Sequence, residues 1–259
     1  MSIKKSLLLL VTVALLFSCK QEEMVDQNTG TTDLSLDISQ YDTANLGLYK
    51  GTFTTNDASE RGIVEIKILD NAASRATLTL SSGAIYNLQS TETVASDQDV
   101  VNLRFVSIVD LALPVSFDFS VGSDGTGADI TSTFFSGLDA SILIAKETSR
   151  APVVPITGKY VCTACGTHPN LGTVTQTFNM VYTGNGSDDD SIMTEMTLGA
   201  TVYTSLAPEN SQPFCAPSPT NPGFNDCSIS GTTVVTMGGP LITWTGTHTY
   251  DTVGDCSQV

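Results

Sequence analysis

From Leu46 onward apolar and polar residues alternate with a period of two, and clusters of Gly, Asp, Asn and Ser interrupt the alternation. Successive side chains of a strand point to opposite faces of its sheet, so this pattern predicts half-buried antiparallel strands. In Gly62 to Leu69, the residues Val64, Ile66 and Ile68 fall on one face and Ile63, Glu65, Lys67 and Leu69 on the other. Arg75 to Ser81 places Ala76, Leu78 and Leu80 together, and Val115 to Val121 sets Val115, Phe117, Phe119 and Val121 against Ser116, Asp118 and Ser120. Further strands are predicted at 84–89, 100–108, 127–133, 139–145, 157–163, 172–183, 191–198, 200–205, 228–237 and 240–250. No helical period follows the N-terminal segment, and the predicted fold class is all-β.

The strands divide into two tandem antiparallel domains, 42–150 and 151–259. Between them Thr148 to Pro155 carries Pro152 and Pro155 around a Val pair, a donor-poor segment suited to joining domains. An internal echo points to a duplicated β unit. Gly47-Leu48-Tyr49-Lys50-Gly51-Thr52 is answered by Gly158-Lys159-Tyr160-Val161-Cys162-Thr163, Gly62-Ile63-Val64 by Gly172-Thr173-Val174, and Gly83 to Tyr86 by Gly199 to Tyr203. Closely spaced strands fit meanders closed as sandwiches or barrels, and alternation does not choose between these. The ending Cys256-Ser257-Gln258-Val259 lacks a terminating turn, so a second domain truncated at its C-terminus is an expectation.

Residues 1–18 have the build of a secretion signal: Lys4 and Lys5, an apolar run from Leu7 to Phe17, then Ser18. That run would make a helix of about 16 Å, well short of the roughly 30 Å hydrocarbon core of a membrane. Leu16-Phe17-Ser18-Cys19 resembles a bacterial lipobox, which implies cleavage before Cys19 and a lipid on its thiol. The following Lys20-Gln21-Glu22-Glu23 resembles the acidic export signal of Bacteroidetes outer-membrane lipoproteins, which implies display on the cell surface. Asp42-Thr43-Ala44, Asp190-Ser191-Ile192 and Asp251-Thr252-Val253 are similar to the O-glycosylation sequons of exported proteins of that group. Residues 19–41 read as a flexible acidic tether, since Asn28 to Gln40 is polar and poor in aromatics.

Charge narrows the partners. Without Lys4 and Lys5 the chain has 9 basic and 27 acidic residues, a net charge of about −18. Phosphate would repel such a chain, which also lacks clustered Lys and Arg, so no nucleic acid is expected as a partner. Anionic lipid would repel it too, which leaves membrane attachment to the acyl chains on Cys19.

Besides Cys19, the cysteines are Cys162, Cys165, Cys215, Cys227 and Cys256. In an oxidising compartment they are disulfide candidates, and the odd number leaves one without a partner inside the chain. Cys162, Cys165 and His168 would also suit zinc or redox chemistry. A zinc site needs further ligands, and the other histidine is His248, so a structural disulfide is the expected use. Ala207 to Asp226 contains five of the ten prolines together with Phe214 and Phe224, next to Cys215 and Cys227. This reads as a loop, and a bridge between its cysteines would restrain it by about 3 kcal/mol on the chain-entropy account. Phe214 and Phe224 are its candidate binding residues.

The turns Ser123 to Asp129 and Asn185 to Asp190 hold enough oxygens to be considered for calcium, although their composition is also that of hairpin turns. No Gly-x-Ser-x-Gly elbow or His-Glu-x-x-His motif occurs, His168 and His248 are the only imidazoles, and no cofactor is implied. Trp244 lies in an alternating strand, where a core position is expected. The sequence thus predicts a lipid-anchored, non-enzymatic binding or adhesion module facing an extracellular glycan or protein. A structural envelope lipoprotein and an extracellular hydrolase are the alternatives.

Overall fold

In the computed structural model the described residues are 38–95, 98–108, 114–160, 174–184, 191–204, 214–217, 224–234 and 241–251, the last three as backbone. Eight strands follow one another as a meander: β1 Gly47–Thr55, β2 Arg61–Ile68, β3 Ala73–Leu80, β4 Ile85–Thr93, β5 Val100–Ser107, β6 Val115–Gly122, β7 Asp129–Phe135 and β8 Leu138–Lys146. They close into an antiparallel barrel when β8 pairs back on β1, with Gly51 opposite Ile144 and Phe53 opposite Ile142. Closure removes the free edges that an open sheet would present to other chains.

The interior is filled by side chains. Tyr49, Phe53, Val64, Ile66, Leu78, Leu88, Phe105, Phe117 and Phe119 are among its fully buried members. Phe105 stacks on Phe117 at 5.0 Å, and Tyr49 meets Phe119 edge-on at the same distance. Each such side chain contributes about 1.5–3 kcal/mol by leaving water. The Tyr49 hydroxyl donates to Asn45 O at 2.8 Å, so its burial costs no lost hydrogen bond. Outward positions include Glu65, Lys67, Arg104 and Asp118. Apolar inside and polar outside is the reverse of a membrane-spanning barrel.

A second sheet has the order β12-β11-β10-β9, from β9 Val153–Tyr160, β10 Gln176–Thr183, β11 Ser191–Leu198 and β12 Thr201–Thr204. A third joins β13 Phe214–Pro217, β14 Phe224–Val234 and β15 Leu241–Asp251. The four-stranded sheet covers the outer face of β1, which is why Thr52 and Thr54 are buried along with the inward Tyr49 and Phe53.

Three expectations change. The predicted tether to residue 41 ends in an ordered 3-10 turn, Ile38–Tyr41, and Lys146 Nζ donates to Tyr41 O at 2.6 Å and to Ala44 O. The predicted linker gives way to β9 at Val153, and Pro155 sits on an edge strand, where its missing N–H breaks no ladder. The predicted loop 207–226 contains β13 and the start of β14, so Phe214 and Phe224 occupy strand positions opposite Ser228 and Asp251. The echo aligns two tight turns in which Gly83 and Gly199 take positive φ. It does not align strand positions throughout, because Gly47 opens β1 whereas Gly158 is near the end of β9.

Candidate functional site

Two irregularities in the barrel wall shape a polar surface on its outer face. On β4, Ala73 pairs with Thr93 but Arg75 with Gln89, so β4 carries extra residues as a bulge. The β4–β5 ladder joins Leu88 to Ser107, Gln89 to Val106 and Ser90 to Phe105. Beyond it, side chains replace backbone pairing: Arg104 N donates to Glu92 Oε2 at 3.1 Å, and Thr91 Oγ1 donates to Arg104 O at 3.3 Å. On β7 a bulge at Ser132, with φ of 51°, sets Asp118 opposite Thr131 but Ser116 opposite Phe134. The extra residue turns Phe135 into the core and leaves Phe134 outside.

The outer face of β5, β6 and β7 thereby presents ordered rows. Asn102, Ser120 and Asp129 form one, Arg104, Asp118 and Thr131 the next, and Val106, Ser116 and Phe134 the third. Arg104 Nη1 donates to Asp118 Oδ1 at 2.9 Å and Nη2 to Ser116 Oγ at 3.4 Å, which fixes the guanidinium plane across the rows. Glu92, Asn102, Arg104, Asp118, Ser120 and Thr131 line a shallow recess of about 330 Å³. The backbone N–H of Arg104, then the Thr91 hydroxyl, hold the Glu92 carboxyl below its ordinary range. It is therefore an ionised acceptor at neutral pH, and a general acid would need the opposite shift.

A second polar cluster lies where the four-stranded sheet meets the barrel. Glu195 on β11 is fully buried. Its carboxylate accepts from Ser141 Oγ of β8 at 2.5 Å and from Asn179 Nδ2 of β10 at 3.0 Å. Asn179 Oδ1 in turn accepts from Thr157 Oγ1 at 2.8 Å, and Thr157 O accepts from Arg61 Nη1 of β2 at 2.9 Å. Burial raises the Glu195 carboxyl, with the bonds from Ser141 and Asn179 opposing. Farther along the same strands, Glu147 bonds Lys50 Nζ at 2.7 Å and accepts from Val153 N at 3.2 Å, tying the start of β9 to β1. This chain of contacts docks one sheet on another.

The residues singled out by sequence are only partly reached. Cys19, Cys162, Cys165, His168, Cys256 and the turn Asn185 to Asp190 lie outside the described residues. Cys215 is directly opposite Cys227, and Cys227 opposite His248. Trp244 pairs with Gly231 in the β14–β15 hairpin. In the turn Ser123 to Asp129, Asp124 accepts from Thr126 N at 3.0 Å and from Thr126 Oγ1 at 2.7 Å, and these bonds lower its carboxyl. Lys146 supplies positive charge at the same turn. The acidic residues there act as hairpin-turn residues, and among the described residues no group of three or more His, Cys, Asp or Glu is placed to hold a metal. Comparison with protein families, with curated proteins and with solved structures finds no match.

Proposed function

We propose that this chain is a lipid-anchored protein of the outer cell surface that binds a hydroxyl-rich ligand, of the glycan class, on the outer wall of β5–β7. The lipobox-like Leu16 to Cys19 and the acidic residues after it support the address. The observation that carries the binding reading is the row of Arg104, Asp118 and Thr131 between Asn102 and Ser120 on one side and the half-exposed Phe134 on the other. Fixed guanidinium, carboxylate, amide and hydroxyl groups pair with sugar hydroxyls, and Phe134 and Val106 give an apolar flank for the sugar ring faces. The ionised Glu92 acts as an acceptor there, and Asp118 accepts from Arg104, which favours binding without bond cleavage.

The test has two arms. Protease shaving of intact cells should release barrel peptides, and Cys19→Ala should abolish their lipid anchoring. Purified protein should bind glycans on an array, and Arg104→Ala should weaken that binding at least about tenfold, the loss of one charge-assisted pair. Protection of the wild-type protein until the outer membrane is opened would favour a periplasm-facing structural role. Glycan binding that survives Arg104→Ala would move the contact elsewhere, first to the strands carrying Phe214 and Phe224.

A further inference from the structure

Cys215 on β13 and Cys227 on β14 stand directly opposite one another in the hairpin register. Directly opposed residues of antiparallel strands share a sheet face, with Cα atoms about 4.5–5.5 Å apart. A disulfide spans Cα separations of about 4.4–6.8 Å, so this register meets the requirement without backbone movement. A slip of one residue would put the two cysteines on opposite faces.

We infer that Cys215 and Cys227 form a cross-strand disulfide that locks the β13–β14 hairpin. Two thiols give up two protons and two electrons to an external disulfide, protein or small molecule, which leaves as two thiols while the S–S bond forms. The pairing settles a connectivity that spacing left open, since five cysteines beyond Cys19 allow many. It is independent of the proposed ligand wall. The same register row continues to His248 on β15, which shares that sheet face. Two thiolates and an imidazole suit zinc, but a metal site and a disulfide exclude each other because the oxidised sulfurs are no longer thiolates. An exported chain meets an oxidising compartment, which favours the disulfide.

The test maps the full chain recovered from cell envelopes, with free thiols alkylated before any reduction. Residues 160–259 contain no Lys or Arg, so trypsin does not separate the cysteines. Chymotrypsin cleaving after Phe224, or a protease cleaving before Asp226, does. The expected result is one linked pair of peptides holding Cys215 and Cys227, about 2 Da lighter than their sum and parted by reductant. In Cys227→Ser, the Cys215 thiol should become alkylatable and no other. The inference is overturned if both cysteines are alkylated in the unreduced wild type, or if either is linked to Cys162, Cys165 or Cys256. Stoichiometric zinc that is lost in Cys215→Ser would equally overturn it.

Discussion

At Gly51, β1 and β8 approach so closely that an added Cβ would lie 2.0 Å from Leu143 O and 2.9 Å from Ile144 Cα. Both neighbours are backbone and cannot rotate away. The contact lies on the seam that closes the barrel, between Gly51 and Ile144. Gly51→Ala should therefore destabilise the protein by about 3 kcal/mol or more, as overpacking against backbone does. Denaturant titration followed by tyrosine fluorescence would measure it, and a loss below about 1 kcal/mol would mean the seam is looser than this register. Ser132 shows the same dependence on context. It takes φ of 51°, uncommon for a non-glycine residue, and its position decides which of Phe134 and Phe135 enters the core. Period-two reading over 127–133 stops before this pair and contains no signal for the bulge.

The elements β8, β10 and β11 meet at Glu195, and the pH dependence of their docking follows from its burial. The carboxyl is raised above its ordinary value of 4.5, so the folded state holds the proton more tightly than the unfolded state. Its contribution to stability is complete below about pH 4.5 and is lost as pH rises through the raised value. Glu195→Gln keeps the shape and an acceptor for Asn179 but cannot ionise. The variant should match the wild type near pH 4 and become progressively more stable than it toward pH 8, measured by thermal denaturation across that range. Parallel stability curves would show that the carboxylate stays charged and is compensated, for which the Arg61 guanidinium is the nearest described cation along the hydrogen-bonded chain. The strand faces at this junction were legible, since Asn179 and Glu195 alternate with Phe178, Met180 and Met196. That a polar face is buried against another sheet was not, because alternation reads any polar face as wet.

For the whole molecule, barrel closure within Gly47–Lys146 makes the first domain self-contained in its strand pairing. Its core cluster draws entirely on residues between Tyr41 and Ile144. Residues 38–150 expressed alone should thus give a folded β protein that unfolds cooperatively. Circular dichroism and a denaturant transition would check this. A chain that fails to fold would mean that the sheet covering Thr52 and Thr54 is an integral part of the barrel's stability. The second sheet has a smaller apolar cluster, Met180, Tyr182 and Ile192 with Val154 and Phe178 against it, and it leans on the polar contacts to β1, β2 and β8.

The amino-acid sequence by itself determined the strand class, the inward faces of β2, β3 and β6, and the absence of long helical periods, because each follows from side chains alternating along one strand. It carried the lipobox-like segment too, which is local chemistry and needs no fold. Only the tertiary structure decided that the first eight strands close as a barrel, that the outer face of β1 is covered, and that Arg104 meets Asp118 and Glu92. Closure depends on register between strands about 90 residues apart, Gly51 to Ile144 among them, and on bulges that shift it by one or two residues. Neither leaves a mark on the period of any single strand, since pairing is a property of two segments and alternation a property of one.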